Sequence, residues 1–129
     1  LATFNTIRQI AKQGPCVIIG RCADYALADD PNHLSIFIHA PLEDRIRRVA
    51  ERQSLPPEKA RTLISKTDKR RASYYEYYSS QRWGAVDSYD FCINSSFLGL
   101  SGTVELIRAM VEHKEHPVPS PTEKDPTRP

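Results

Sequence analysis

The sequence predicts an α/β fold in which helices flank a parallel sheet in three layers. Three short apolar runs, residues 16–19, 34–39 and 91–93, have the length and composition of buried strands. Segments with helical spacing of apolar residues precede the first run, separate the last two and follow the third. Three strands are few for this architecture, so we expect the sheet to be incomplete on its N-terminal side, with further strands preceding Leu1.

The helical segments are defined by the spacing of their apolar residues and by start and stop signals. Gly14 and Pro15 end the first helix, and Pro41 stands near the start of the second. Pro56 and Pro57 open the third, because proline is well tolerated in the first turn of a helix. This helix is expected to continue, with or without a bend, through a tyrosine-rich segment. The apolar residues that define these helices and a fourth are Phe4, Ile7, Ile10 and Ala11; Leu42, Ile46, Val49 and Ala50; Ala60, Leu63 and Ile64; and Val104, Ile107, Met110 and Val111.

The chain as a whole has the composition of one globular domain. It contains 129 residues, of which 40% are hydrophobic and 26% are charged. We expect one domain over residues 1–115 and a disordered tail over residues 116–129, which are rich in proline and charge. A formal net charge of +2 is too small for a nucleic-acid coat, so no nucleic-acid partner is expected and any anion site must be local.

The lack of a recognisable targeting signal and the cysteine usage favour a cytoplasmic protein. No apolar run reaches the length of a membrane span and no signal-peptide pattern is present, so no membrane partner is expected. The three cysteines, Cys16, Cys22 and Cys92, cannot all pair with one another and lack the spacing of a metal site. Reduced thiols in the cytoplasm, with no metal, are the simplest interpretation.

The most informative segment is KTDKRRASYYEYY, residues 66–78. At about 100° per residue, Arg71 falls in the middle of the apolar face that the preceding turns and the tyrosines share. A guanidinium stays charged, and leaving it unpaired in a dry site is costly, so an anion should meet it. Asp68 and a substrate phosphate are the candidates, with Lys66, Lys69 and Arg70 adding positive charge nearby. The alternative is a solvated basic face whose tyrosines pack in the core.

A second candidate site follows the first predicted strand, at the segment GRCADY of residues 20–25. Ligands of open α/β sheets bind at the carboxyl ends of strands. Arg21 is suited to holding a phosphate, and Asp24 to accepting hydrogen bonds from a base or sugar. The alternative, equally open on this segment alone, is a structural salt bridge between Arg21 and Asp24.

A third candidate is the polar stretch of residues 94–99, which links the last strand to the last helix. Asn94, Ser95 and Ser96 are candidates for contacting a nucleotide base, mainly through backbone groups. Turns of this kind are also ordinary connectors, and on its own the stretch is better explained in that way. The arginines of the second helix, Arg45, Arg47, Arg48 and Arg52, are interpreted as a solvated outer face.

These segments, in this order, resemble the cytidylate kinase-like family of P-loop nucleotide kinases. The resemblance runs from residue 16 to about residue 111 and is carried by CVIIGRCADY, LSIFIHAPLEDRIRRV, KTDKRRASYYEYY and YDFCINSSFLGLSGTVELI. It implies a P-loop kinase-like fold and an ATP-dependent phosphotransferase that uses Mg²⁺. It also implies a nucleoside monophosphate acceptor, with CMP as the family default, and an adenine-side loop at residues 94–96.

The resemblance also assigns roles to single residues. Gly20 and Arg21 match a Gly-Arg-Asp segment that helps to bind the monophosphate, although Cys22 replaces its aspartate and Asp24 is the nearby substitute. Asp68 and Arg71 match an Asp-x-x-Arg pair of a mobile lid, in which the arginine contacts the transferred phosphate. The position of a further lid arginine is taken by Ile64, which leaves that role unfilled or passes it to Lys66, Lys69 or Arg70.

One part of the family pattern is missing from this sequence. A phosphate loop requires GxxxxGK[ST] or a relative, and none of the five glycines builds one. We therefore expect this chain by itself to be inactive, and leave open whether the intact protein is a kinase or a non-catalytic nucleotide-binding or regulatory module. A purely structural α/β domain is the third alternative. Exposed sheet edges also make a homo-oligomer possible.

Overall fold

The computed structural model describes residues 2–116. Most of the predicted tail, from residue 117 onward, lies outside the described residues. The elements in chain order are α1 (Ala2–Lys12), α2 (Ala23–Ala26), β1 (Ile36–His39), α3 (Leu42–Gln53), α4 (Pro57–Ser79), a 3₁₀ helix (Val86–Ser88), β2 (Phe91–Asn94) and α5 (Ser95–Glu115). This is a mixed α/β arrangement, as the alternation of strand-like and helical patterns predicts. No helix among these residues is long and apolar enough to cross a membrane.

The sheet consists of β1 and β2, which pair in parallel so that His39 lies opposite Asn94. Ser35 and Asp90 fix this register just before the strands begin. The backbone N–H and the hydroxyl of Ser35 donate to the Asp90 carboxylate at 2.8 Å and 3.2 Å. The Asp90 N–H donates back to the carbonyl of Ser35 at 3.0 Å. The carboxyl ends of both strands therefore finish side by side.

The prediction of a buried strand over residues 16–19 is wrong for this structure. These residues form no strand, and Val17 and Ile19 are 91% and 89% exposed. A strand is stable only when a neighbour satisfies its backbone hydrogen bonds, and none of the described residues provides that neighbour. Within residues 2–116 the sheet thus has two strands, and the three-layer arrangement stays a prediction.

Two clusters of buried side chains hold the part of the chain that ends at Ser96. The first joins α1, α2 and the C-terminal part of α4, and consists of Phe4, Ile7, Cys22, Ala23, Ala26 and Tyr75. The second joins α3 to the N-terminal part of α4, and consists of Ile46, Ala60 and Ile64. Ala60 lies between α3 and α4 and is completely buried. Its small side chain allows the two helices to approach closely.

The helix α4 is continuous over 23 residues, as the sequence predicts. Pro57 occupies its first turn, where a missing N–H costs nothing, and Ser80 ends it with a left-handed backbone of φ 56°. Because α4 is long, it contributes residues to both clusters. The same helix therefore contacts α3 near its start and α1 and α2 near its end.

The chain divides into two compact units, the first ending at Ser96 and the second starting at Phe97. Helix α5 begins at Ser95, earlier than predicted, so the expected polar turn over residues 94–99 is largely helical. Gly99 interrupts this helix with φ 73°, a conformation that favours glycine. Gly102 is also required, because a Cβ there would lie 2.7 Å from the Cβ of Leu98.

Candidate functional site

The adjacent carboxyl ends of β1 and β2 create a polar corner at Asn94, Ser95 and Ser96. The side-chain oxygen of Asn94 accepts the backbone N–H of Ser96 at 3.0 Å. The hydroxyl of Ser95, which is 3% exposed, donates to the carbonyl of His39 at 3.4 Å. These bonds order the corner, and they occupy much of the side-chain capacity that a nucleotide base would use.

Arg48 of α3 reaches this corner, which corrects the expectation that the arginines of this helix are simply solvated. Its guanidinium donates to the hydroxyls of Ser95 and Ser96 at 3.4 Å and 3.2 Å. The hydroxyl of Ser96, followed by the guanidinium of Arg47, lowers the pKa of the nearby Asp44 carboxyl. Helical periodicity predicts the side of α3 on which Arg48 lies. It does not predict that the carboxyl end of β2 lies against that side.

The segment after residues 16–19 has an unusual backbone. Gly20, Arg21 and Cys22 are three consecutive residues in the left-handed region, with φ of 71°, 57° and 58°. This conformation is uncommon for residues other than glycine, and such residues are found at functional sites as well as at helix ends. It ends at the short helix α2, where the N–H of Ala23 bonds to the carbonyl of Gly20 at 3.2 Å. Arg21 is exposed, and no ion pair joins it to Asp24, so the proposed structural salt bridge is absent from the described residues.

The side chain of Cys22 points into the protein. It is 3% exposed, and its Sγ lies 3.8 Å from the carbonyl oxygen of Tyr75. Burial, followed by the charge of Asp24, raises the pKa of the Cys22 thiol to about 11. The thiol is therefore neutral at ordinary pH and supplies no negative charge.

Asp24 is instead held by α4, through Tyr75, for which the sequence predicts no role in a site. The hydroxyl of Tyr75 donates to Asp24 Oδ2 at 2.7 Å and lies 3.2 Å from Gln81 Oε1. Burial, followed by the hydrogen bond to Asp24, strongly raises the pKa of the Tyr75 hydroxyl, so it remains a donor. Beside this pair is an open cavity of about 180 Å³. Its lining includes Asp24, His33, Ser35, Gln81, Tyr89 and Asp90.

Arg71 is exposed, and the prediction that it is buried on the apolar face of α4 is wrong. It keeps the angular position that its spacing predicts, but it lies between the two stretches of α4 that pack. Ala60 and Ile64 contact the second cluster, and Tyr75 contacts the first. The guanidinium consequently remains accessible to an anion from outside the helix.

Asp68 does not pair with Arg71 in this structure. Its carboxylate accepts a hydrogen bond from Arg45 of α3 at 2.5 Å, in a partly exposed ion pair. Arg71 forms no ion pair with any residue from 2 to 116. The other basic candidates of α4, Lys66, Lys69 and Arg70, are exposed as well. The structure thus joins α3 to α4 through Asp68 and leaves four exposed basic side chains on the same stretch of α4 without an ion pair to any described residue.

Comparison with known proteins identifies the family of this chain. The model of the cytidylate kinase-like family matches residues 1–97, about three quarters of the chain. The chain belongs to the cytidylate kinase-like family.

Individual relatives agree with this membership. The chain is 26% identical to the cytidylate kinase of Methanopyrus kandleri, over 81% of this chain and 58% of that protein. It is 30% identical to the cytidylate kinase of Thermococcus kodakarensis, over 82% of this chain and 55% of that protein. A crystal structure of an uncharacterized protein from Eubacterium ventriosum superposes with a TM-score of 0.81 at 32% identity, covering 84% of this chain and 62% of the other. The chain spans a little over half the length of the curated relatives it matches.

The structure brings some of the candidate residues of this cytidylate kinase-like chain together and leaves others apart. Asp24 is hydrogen-bonded to Tyr75 of α4, and the corner at Asn94–Ser96 is hydrogen-bonded to Arg48 of α3. Arg21 and Arg71 stand exposed. Cys22 and Ile64, which stand where the resemblance implies an aspartate and a lid arginine, are both buried in the clusters.

Proposed function

We propose that the intact protein transfers the γ-phosphate of ATP to a nucleoside monophosphate, with CMP as the first acceptor to test. Arg71 stabilises the charge on the transferred phosphate, assisted by Lys66, Lys69 and Arg70. Arg21 and Asp24 bind the acceptor, and Asn94, Ser95 and Ser96 border the adenine. Asp68 acts on α4 by holding it to Arg45 of α3.

The observation that carries this proposal is the exposed basic stretch of α4 in a chain of the cytidylate kinase-like family. Phosphoryl transfer requires little covalent chemistry from the protein and depends on positioning and on neutralising charge spread over the phosphate oxygens. An arginine suits this task because its planar guanidinium donates two parallel hydrogen bonds to phosphate. Arg71 supports the assignment because it has no protein anion to neutralise it among the described residues.

The residues of this chain fit the acceptor and lid parts of such a site better than they fit Mg²⁺–ATP. No group of three or more metal-ligating side chains converges within residues 2–116. The side chains at the Asn94–Ser96 corner are already engaged with one another, with His39 and with Arg48. Mg²⁺–ATP remains the cofactor expected from the family, and no step is assigned to residues of this chain that would hold the metal.

The test uses the intact gene product, with ATP consumption measured in the presence and absence of CMP. We expect Arg71→Met to reduce kcat by roughly 100-fold or more, because one cation that contacts only the transition state is removed. Arg61→Met is the matched control, since Arg61 lies earlier on the same helix and forms only an exposed pair with Glu43. Equal rates for both variants and the wild type would contradict the role of Arg71. Absence of CMP-dependent ATP consumption by the wild type would contradict the kinase assignment itself.

A second candidate function is a nucleotide-binding or regulatory module without turnover. Two observations favour it: the thiol of Cys22 is buried and neutral at a position where the resemblance implies an aspartate, and Ile64 is buried at a position where it implies a lid arginine. Titration of the intact protein with CMP, beside the ATP assay, separates the two candidates. Saturable binding of CMP without ATP consumption is the result expected for the module.

A further inference from the structure

We propose that Tyr75 is a positioning residue that holds the carboxylate of Asp24 at the cavity and thereby couples α4 to the acceptor. This inference rests on the proposed function and deepens it. Tyr75 itself does not touch the acceptor. It acts through Asp24, whose carboxylate receives N–H or O–H groups of the base or sugar.

The backbone and ring of Tyr75 are fixed independently of Asp24. The side chain is 5% exposed and its ring is stacked on that of Tyr89, with centroids 6.0 Å apart. The carbonyl oxygen accepts a hydrogen bond from the hydroxyl of Ser79 at 2.5 Å and faces the thiol of Cys22. The phenolic hydroxyl is therefore presented to Asp24 from a rigid support.

Asp24, in contrast, lies on the short helix α2 and depends on this hydrogen bond for its orientation. Asp24 Oδ2 accepts from Tyr75 at 2.7 Å, a distance within the range of hydrogen bonds from a hydroxyl to a charged oxygen. A carboxylate has two oxygens, so Oδ1 remains for a ligand in the cavity. Loss of the phenolic hydroxyl would free the carboxylate to rotate and would lower its affinity for the acceptor.

The hydrogen bond to Asp24 also connects the acceptor side to the basic stretch of α4. The exposed basic residues from Lys66 to Arg71 and the buried Tyr75 belong to one uninterrupted helix. A movement of α4 toward a phosphate would therefore carry the partner of Asp24 with it. Binding at the acceptor side and the position of the basic stretch are linked through this single hydrogen bond and the packing that supports it.

The test compares Tyr75→Phe, Asp24→Asn and the double variant in the intact protein. AMP, CMP, GMP and UMP are titrated first, and the tightest binder and its nucleoside are then used as paired probes. We expect each single variant to weaken both probes by the same factor, about 5- to 20-fold, because a hydrogen bond to a charged group is lost or left without its partner. The double variant should bind no more weakly than Asp24→Asn, since Tyr75 acts only through Asp24.

Tyr74→Phe is the matched control, because it removes a hydroxyl from the neighbouring residue of the same helix and leaves the bond to Asp24 intact. Its affinity for both probes should equal that of the wild type. A Tyr75→Phe variant that melts at a lower temperature yet binds both probes with wild-type affinity would overturn the proposal, since Tyr75 would then be structural only. Additive effects in the double variant, or a wild type that binds neither probe, would also overturn it. Failure of the kinase assignment is a separate result, seen as binding without ATP consumption.

Discussion

At the scale of single residues, Cys22 sets the chemistry of its segment. The resemblance to cytidylate kinases implies a carboxylate after Gly-Arg, whereas the thiol found here is smaller and is neutral when buried. It joins the first cluster and faces the carbonyl of Tyr75. The negative charge of the segment is consequently carried by Asp24, two positions later, where α2 turns it toward the cavity.

The buried thiol should make stability depend on pH in the alkaline range. Because the pKa of Cys22 is 9.0 in its reference state and about 11 in the fold, the unfolded chain loses this proton first. The contribution is fully present below pH 9 and is lost as the pH rises toward 11, with a loss of about 2–3 kcal/mol in the free energy of unfolding. Tyr75 and Tyr89, whose pKa values are also raised, act in the same direction at higher pH.

Urea unfolding at a series of pH values measures this effect. We expect Cys22→Ala to have a flatter decline of stability between pH 9 and 11 than the wild type. Cys16→Ala is the control, because Cys16 is exposed and has no reason to change the slope. Identical slopes for the Cys22 variant and the wild type would show that the thiol is not buried in solution.

At the scale of elements, the contact between α3 and α4 combines apolar packing with a charged link. Ile46 packs against Ala60 and Ile64, and Arg45 pairs with Asp68 further along the same contact. Glu43 and Arg61 form a second pair between these helices, but both are more exposed than the first pair. Exposed pairs contribute little, so Arg45 with Asp68 should be the stronger of the two.

We expect Asp68→Asn to lower the free energy of unfolding by about 0.5–1 kcal/mol, since a partly exposed ion pair is lost. Glu43→Gln, which removes the other pair, should change it by less. Urea unfolding in low and high salt measures both, and the difference between the variants should shrink in high salt because exposed charges are screened. A smaller loss of stability for Asp68→Asn than for Glu43→Gln would show that the Arg45 pair is the weaker of the two.

The helices α1, α3 and α4 are predictable from the sequence because each has its own pattern of apolar spacing and its own proline or glycine signal, whereas the short helix α2 and the early start of α5 are not. The exposure of Arg71 is not predictable either. The spacing of apolar residues predicts the angular position of Arg71 on α4 correctly. Burial also depends on the elements that pack against this part of the helix, and neither of the two clusters covers the turn that contains Arg71. Asp68 was assigned to Arg71 for the same reason, because the sequence does not show that Arg45 of α3 lies closer.

The strands and the site were less predictable than the helices. Residues 34–39 and 91–93 overlap the observed strands, whereas residues 16–19 have an equally apolar pattern and form none. Strand formation requires a partner, and apolar composition does not reveal whether one is present. The roles of Arg48 and Tyr75 were missed because both depend on contacts between elements that are far apart in sequence.

At the scale of the whole molecule, the exposed apolar run at residues 16–19 has a consequence for association. Val17 and Ile19, two positions apart, each expose most of their surface, and exposed apolar side chains favour contact with another surface. We expect this chain to self-associate reversibly, and the double variant Val17→Thr with Ile19→Thr to associate roughly tenfold more weakly. Sedimentation velocity over a range of concentrations measures this. Val86→Thr is the control, since Val86 is 77% exposed but lies outside the run.

A monomeric wild type at every concentration would contradict this expectation. So would a double variant that associates as strongly as the wild type. The Val86 control separates an effect of the run itself from a general effect of replacing an exposed valine.

The pairing of β1 with β2 also sets an order in which the molecule assembles. Ser35 and Asp90, which fix the register, are 55 positions apart, whereas Arg45 and Asp68 are 23 positions apart. Closing the longer loop costs more chain entropy, and contacts between distant positions form more slowly. The α3–α4 hairpin should therefore form first and serve as the support on which the two strands meet. The polar corner at Asn94 is then completed only after α3 and α4 have packed, so a chain that stalls at the hairpin would lack this corner.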